Sequence, residues 1–454
     1  MNRSAQPLSL EEALQSARET KALHVGPQVI DRVAQEFSRL FPGKTAALVT
    51  DATLFSLIGK RLQDGFVSLG LLGPAPFIFP EEHVEAEDSF VERVEKALSA
   101  HNGIAVAVGS GTLNDLVKLA SHRLGRPYIC VATAASMDGY TAFGASITYR
   151  GSKQTFSCPA PLAVFADTNV IRHAPASMTA SGYADLLAKV TAGADWILAD
   201  ALGVEAIDPR AWEIVQNGLK PALADPEGAR TGDLQAITLL IEGLLLGGFA
   251  MQWSKSSRPA SGAEHQFSHL WDMEHHVHEG HAPSHGFKVG VATLAVSAFY
   301  EFLLAYPMDT LDIDSCCNRW LNPTKAEAQT RRYFATSDFL DTALTETKAK
   351  YLPREDLRLQ LIRLKENWPA TVQQLRGQLI PFAEMKQRLQ AVGAPTEPEQ
   401  IGITRTRLRN SFIRAQQIRR RFTVLDLAVR TDTLHAGLAA LFGPGGRWEI
   451  PPHN

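Results

Sequence analysis

The sequence predicts an α/β domain over residues 1–177 followed by an all-α domain over residues 178–454, on the strength of three observations. Over roughly the first 180 residues, short β-rich runs alternate with helical patterns. From Pro175 onward almost every pattern is helical. No internal repeat or low-complexity linker interrupts the chain.

Residues 44–51 (KTAALVTD) read as a buried strand and residues 52–63 as the helix that follows. Residues 77–79 form a short strand candidate, and residues 84–100 an amphipathic helix. A second buried strand, residues 104–108 (IAVAV), runs directly into Gly109-Ser110-Gly111 and another helical stretch. Residues 127–133 (PYICVAT) supply a third. Strands alternating with helices imply a parallel sheet covered on both faces. Between Gly144 and Ala166 the β-runs around Arg150-Gly151-Ser152 suggest an inserted hairpin. Helices are expected at residues 181–202, 233–253, 285–304, 325–351 and 405–432. The active site is expected in the cleft between the two domains.

Composition narrows the function. A chain of 454 residues suggests two or three domains, and 45% hydrophobic with 20% charged residues is globular, not disordered. Forty-five basic against 48 acidic side chains leave a net charge of −3, which gives no reason to expect nucleic acid or an acidic membrane as partner. Arg405, Arg407, Arg409, Arg414, Arg419, Arg420 and Arg421 fall at helical spacing among apolar positions and read as a solvated or interface face. Cys130, Cys158, Cys316 and Cys317 make no Cys-x-x-Cys pair, and a reduced, cytoplasmic compartment is expected. No apolar core of a signal peptide follows Met1. The strongest apolar run, residues 236–251, is shorter than the ~20 residues of a bilayer span and carries Glu242, so it reads as a buried core helix without membrane insertion.

The glycine turn Gly109-Ser110-Gly111, followed by Thr112, Leu113, Asn114 and Asp115, stands between a strand and a helix. Glycines let backbone approach a pyrophosphate, and the free amides of a helix N-terminus face the anion. A tight turn with no ligand has the same sequence, and the third glycine of the usual dinucleotide fingerprint is missing. The next strand leads into Thr133-Ala134-Ala135-Ser136-Met137-Asp138-Gly139-Tyr140-Thr141, small and hydroxylated residues that suit the ligand edge of an open sheet or an ordinary loop. Asp51, ending an earlier strand, either meets an adenosine ribose or caps the following helix.

Seven of the 14 histidines lie between His265 and His285. His265 and His269, four residues apart, share one helix face, and His285 returns after a loop. A catalytic metal site needs three protein ligands and an open position, and imidazole suits zinc, nickel or iron. Asp185 is the candidate carboxylate. His275, His276, His278 and His281 read as a polar surface loop.

Together these segments resemble the glycerol-1-phosphate dehydrogenases, within the superfamily of iron-containing alcohol dehydrogenases, glycerol dehydrogenases and dehydroquinate synthases. The resemblance covers most of the chain. It rests on the glycine turn, on residues 133–141, on Ser257-Arg258-Pro259-Ala260-Ser261-Gly262-Ala263-Glu264-His265, on Ser284-His285-Gly286, and on Ile418-Arg419-Arg420-Arg421-Phe422-Thr423-Val424-Leu425-Asp426. The turn departs from the many relatives that carry three glycines, and Ala142 stands where relatives often place a serine.

The resemblance implies a Rossmann-like NAD(P)-binding domain and a helical domain of the dehydroquinate synthase-like fold. It implies one divalent metal (Zn²⁺ or Ni²⁺, with Fe²⁺ also accommodated) on Asp185, His265 and His285. His269 and Asp138 would sit at the substrate, with Asp185 completing the catalytic set. Gly109, Ser110, Gly111, Thr112, Asp115, Thr133 and Ser136 would hold NAD(P)H, with Asp51 toward the ribose. The implied reaction is reduction of dihydroxyacetone phosphate, a small phosphorylated substrate, to sn-glycerol 1-phosphate. The metal would act as a Lewis acid on the C2 carbonyl and His269 as proton relay. Arg258 and Lys153 are candidate phosphate partners or else surface salt bridges, and Lys288 is equally a phosphate candidate or a structural partner of the cofactor loop. Rival readings are a dehydrogenase of the same fold acting on glycerol or another polyol phosphate, a cyclase, and a metallohydrolase using only the histidines. The long C-terminal helices leave room for a homodimer interface.

Overall fold

The computed structural model describes residues 8–81, 83–149 and 152–451. The chain makes two compact units that interleave in sequence. One comprises Met1–Leu186, Arg210–Ser257 and Ala391–Gly393; the other comprises Leu187–Pro209, Arg258–Gln390 and Ala394–Asn454.

Among the described residues the first unit is built on eight strands: β1 (Ala22–Gly26), β2 (Ala46–Asp51), β3 (Phe77–Phe79), β4 (Ile104–Gly109), β5 (Tyr128–Ala132), β6 (Ala145–Tyr149), β7 (Ser152–Phe156) and β8 (Ala163–Asp167). Six of them form one sheet in the order β1-β8-β5-β4-β2-β3, with every pairing parallel. Strands β4, β5 and β8 are buried along their whole length. That explains their unbroken apolar runs, since a parallel strand between two helical layers has no solvent face to alternate with. Phe37, Phe66, Leu48, Val106, Ile129 and Phe165 share one core cluster. Phe37 and Phe66 meet edge to face with centroids 5.3 Å apart, and each fully buried ring contributes about 1.5–3 kcal/mol.

From β2 the chain crosses to β3 at one edge, whereas β4 lies on the other side of β2 and leads on to β5. The connections after β2 and β4 therefore diverge. Such a switch point is where open parallel sheets take ligands, and Asp51 and Gly109 stand at these two strand ends.

The helix after β4, α1 (Gly111–Arg123), begins at the glycine turn. Beyond β8 come α2 (Ala176–Leu187) and, after Ala188, α3 (Lys189–Ala201), the first helix of the second unit. The chain then re-enters the first unit for α4 (Leu234–Ser254), whose apolar interior is mostly buried. In the second unit lie α5 (Ala263–Met273), α6 (His285–Ala305), α7 (Pro323–Tyr333), α8 (Leu340–Lys350), α9 (Arg405–Arg414) and α10 (Val424–Arg430). Phe267, Trp271, Phe299, Phe412 and Phe442 form its aromatic core. Among the described residues two helices, α4 and α6, are long and apolar enough to cross a membrane, and most of each is buried as a core helix.

The structure departs from the sequence expectations in several places. Strand β1 went unrecognised, and β8, expected within the hairpin region, is a central strand of the sheet; only β6 and β7 form the antiparallel hairpin. The helix expected at residues 325–351 is broken between α7 and α8. Phe334 and Phe339 are both buried and meet at 5.5 Å, but five residues apart on a helix they would point about 140° from each other. The helix expected at residues 405–432 also breaks. A capping box between Thr423 and Asp426 starts α10 afresh, so Arg419, Arg420 and Arg421 lie in a connection and not on a helical face. The helix expected from residue 84 begins at Asp88.

Candidate active site

In the first unit the glycine turn is shaped by its neighbours. Ser110 is the N-cap of α1, and a Cβ on Gly111 would lie 2.3 Å from the Met137 side chain. Glycine there lets the residue 133–142 loop lie against the turn. Thr133, nearly buried, donates its backbone N–H to Gly109 O at 3.2 Å. The Ser136 hydroxyl lies 3.4 Å from Tyr140 Oη, which donates to Ala134 O at 2.7 Å. Burial pushes the Tyr140 phenol above its ordinary range.

Two residues beside the turn anchor the loop, and a third anchors the hairpin. Lys118 is buried and donates to the carbonyls of Gly139, Ala142 and Gly144 at 3.0, 3.0 and 2.9 Å. Asn114 donates to Gly139 O and accepts from Tyr128 Oη. The Asp115 carboxylate accepts from Ser146 N at 2.9 Å, tying α1 to the hairpin. Asp51 Oδ1 caps the next helix by accepting from Leu54 N at 2.8 Å, which supports the capping alternative for that atom. Thr112 is half-buried in the first turn of α1.

Asp185 lies near the end of α2, fully buried. Its Oδ2 accepts from Asp138 N at 3.1 Å, so the Ser-Met-Asp-Gly loop and the candidate ligand are fixed to one another. Close approach makes this possible: a Cβ on Gly182, one turn before Asp185, would lie 1.9 Å from Ala135 O.

In the second unit His265 and His269 share a face of α5 with ring centroids 6.4 Å apart. His285, the first residue of α6, lies 5.3 Å from His265. Glu264 is fully buried beside them. Its Oε1 accepts from Gly262 N at 2.6 Å and faces His265 Nδ1 at 2.8 Å, and its Oε2 accepts from Thr191 Oγ1 at 2.8 Å. Burial alone would raise the Glu264 carboxyl, but the hydrogen bond and charge of His265 and the Gly262 amide outweigh it, leaving it lowered. Asp195 on α3 takes the opposite course: burial and the Glu264 charge raise it. Asp195 accepts from Tyr300 Oη at 2.6 Å, Ala263 N at 2.7 Å and Val424 N at 2.8 Å. Burial, then the charges of Arg419, His265, His285 and Arg421, hold His269 well below its ordinary value, so its imidazole is neutral at pH 7.

The sequence expectations for the flanking groups divide. His276 is bound to Ile401 O at 2.6 Å and to Arg407, and His275 to Asp338, so these loop histidines serve structure. Arg258 is corrected from phosphate partner to internal clamp. It is 2% exposed and donates to Phe422 O and Asp195 O, because a guanidinium has five donors and three chain segments converge on it here. Lys288 pairs with Asp272 of α5. The Lys153 side chain lies outside the described residues. Arg421, read as a surface charge, donates to Ser261 Oγ and O. Sequence reasoning assigned no role to Glu264, Asp195, Asn114 or Lys118. For Glu264 the available signal was a carboxylate directly before a candidate ligand in a helix's first turn.

These features define the class. Residues 24–175 match the family model described as iron-containing alcohol dehydrogenase. The chain resembles the crystal structure of a probable glycerol dehydrogenase from Sinorhizobium meliloti at TM-score 0.59 and 18% identity, over 92% of this chain and 97% of that one. Among curated relatives, the glycerol-1-phosphate dehydrogenase [NAD(P)+] of Halalkalibacterium halodurans is 40% identical over 198 residues; the match spans 44% of this chain and half (50%) of the relative's length. The protein of the same name from Methanosarcina barkeri is 34% identical over 60% of this chain and 74% of its own. The fold is thus that of the iron-containing alcohol dehydrogenase class of oxidoreductases. Within that class the chain belongs to the glycerol-1-phosphate dehydrogenase family.

Proposed function

We propose that the protein is a metal-dependent, NAD(P)H-linked dehydrogenase that reversibly reduces dihydroxyacetone phosphate to sn-glycerol 1-phosphate. The observation that carries this reading is the pair of imidazoles, His265 and His285, 5.3 Å apart at the starts of two helices, in a chain whose relatives bear that enzyme name. Asp185 is the proposed third ligand, and a donor set of one carboxylate and two imidazoles suits Zn²⁺, Ni²⁺ or Fe²⁺ and would leave coordination positions for substrate. The fit is supported by the bond between His265 and Glu264, since a ligating histidine characteristically spends its other ring nitrogen on a carboxylate.

A bound metal would supply Lewis-acid polarisation of the substrate carbonyl, and a bound nicotinamide would supply the hydride. The residues of this chain do the rest. The first-turn amides of α1, with Gly109, Ser110, Gly111 and Thr112, receive the pyrophosphate, and Thr133 and Ser136 line the cofactor's path. Asp115 contributes by holding the hairpin, and Asp51 faces the ribose through the carboxylate oxygen that does not cap the helix. Asp138 meets the hydroxyl end of the substrate while its backbone amide steadies Asp185. His269, neutral at pH 7, gives a proton toward the product oxygen from one ring nitrogen and recovers one on the other.

The test compares dihydroxyacetone phosphate with unphosphorylated dihydroxyacetone as oxidant of NADH and NADPH, using metal-loaded protein. A preference for the phosphate, lost in Asp185→Asn and His265→Ala, is expected. Equal or better use of the unphosphorylated ketone would move the assignment to the glycerol-type alternative.

A further inference from the structure

The orientation of the His265 ring matters on the metal reading above, and the inference drawn from it rests on that reading. We propose that Glu264 is the positioning residue that makes His265 coordinate through Nε2, by holding the ring proton on Nδ1. Glu264 is fully buried and has little freedom to do otherwise. Oε1 takes the Gly262 amide and the His265 ring, and Oε2 takes the Thr191 hydroxyl. Each bond comes from a different part of the fold: the turn before α5, the first turn of α5 itself, and α3.

The platform under it is equally fixed. Asp195 receives the amide of Ala263, the phenol of Tyr300 from α6 and the amide of Val424 at the start of α10. Two carboxylates therefore grip the N-terminus of α5, where unpaired amides and the helix dipole favour negative charge. The first residue beyond that grip is His265. With Nδ1–H committed to Glu264 Oε1, the lone pair is on Nε2, and the ring cannot turn over without breaking a buried charge-assisted bond. This arrangement fixes tautomer and ring direction before any metal arrives, so less ordering remains to be done on binding.

The inference is tested on the full-length protein stripped of metal, with Zn²⁺ alone as probe. Competition against a chromophoric chelator reads affinity for wild type, Glu264→Met and Glu264→Gln. Methionine fills the space but accepts no proton bond, and about 10–100-fold weaker binding is expected. Glutamine can turn its carbonyl oxygen to the Oε1 position and its amide toward Thr191, so it should keep affinity within about threefold of wild type. A role confined to packing would not show this rescue by the amide. Where Glu264→Met fails to fold, ¹⁵N spectra of imidazole-labelled wild type decide. The His265 signal, assigned by its loss in His265→Gln, should show the proton on Nδ1 in metal-free protein and a shift at Nε2 on adding Zn²⁺. Unchanged affinity in Glu264→Met, or a His265 proton on Nε2, would overturn the inference alone. A wild type that takes up no metal under any of these conditions would overturn the metal reading and this inference with it.

Discussion

His269 and Cys130 show burial tuning single groups in ways that assays can read. The neutral His269 imidazole stands one turn beyond His265 without belonging to the proposed ligand set. His269→Gln should lower kcat about 100-fold while leaving metal content unchanged; loss of bound metal in that variant would make it a ligand instead of a proton relay. Burial pushes the Cys130 thiol from 9.0 up to about 12. Between those values the unfolded chain has lost a proton that the folded chain keeps. Stability is therefore lost as pH rises above 9, by up to about 1.4 kcal/mol per pH unit for this thiol. Denaturation midpoints at pH 9 and 11 should fall less steeply for Cys130→Ala than for wild type, and equal slopes would contradict the assignment. At this scale the sequence displayed residue types well. Asp185, His265 and His285 are residue types suited to metal ligation, and the spacing of His265 and His269 put those two rings on one helix face. It did not display roles made by convergence. Arg258 looked like a phosphate partner because nothing in its own segment reveals that Phe422 and Asp195 would meet it.

Between residues and fold, the decisive element is the residue 133–142 loop. Lys118 holds it from one side by the carbonyls of Gly139 and Ala142, with that of Gly144 just beyond, and Gly182 allows α2 to press on it from another. Lys118→Met should strand three buried carbonyls and cost about 2–4 kcal/mol, visible in urea unfolding. Gly182→Ala forces α2 away from Ala135 and should destabilise by about 1–3 kcal/mol. Because Asp185 lies one turn along α2, the same variant should also weaken metal binding; wild-type affinity would separate the loop from the ligand. Elements with strong periodicity or continuous apolar runs were readable, as β4, β5, α4 and α6 show. Helix breaks were not. The interruption at residues 334–339 depends on two phenylalanines burying in different directions, and the one at residues 415–423 on a capping box inside a basic run.

For the whole molecule, a parallel sheet followed by helices was legible because buried strands and long helices carry their own hydrophobic signatures. The interleaving of the two units was not, since helices at residues 210–257 look alike whichever core they join. Identity came from short motifs whose chemistry survives divergence: the glycine turn, the Ser-Met-Asp-Gly loop and the Glu-His pair. The claim that joins them is that this chain reduces a ketone phosphate with a metal and a nicotinamide. The most direct measurement follows NADH and NADPH absorbance with dihydroxyacetone phosphate as metal-free protein is titrated with Zn²⁺, Ni²⁺ or Fe²⁺, with chiral analysis of the product. Oxidation that rises with metal and yields sn-glycerol 1-phosphate is the predicted result. No oxidation with any metal, or formation of the opposite enantiomer, would contradict it.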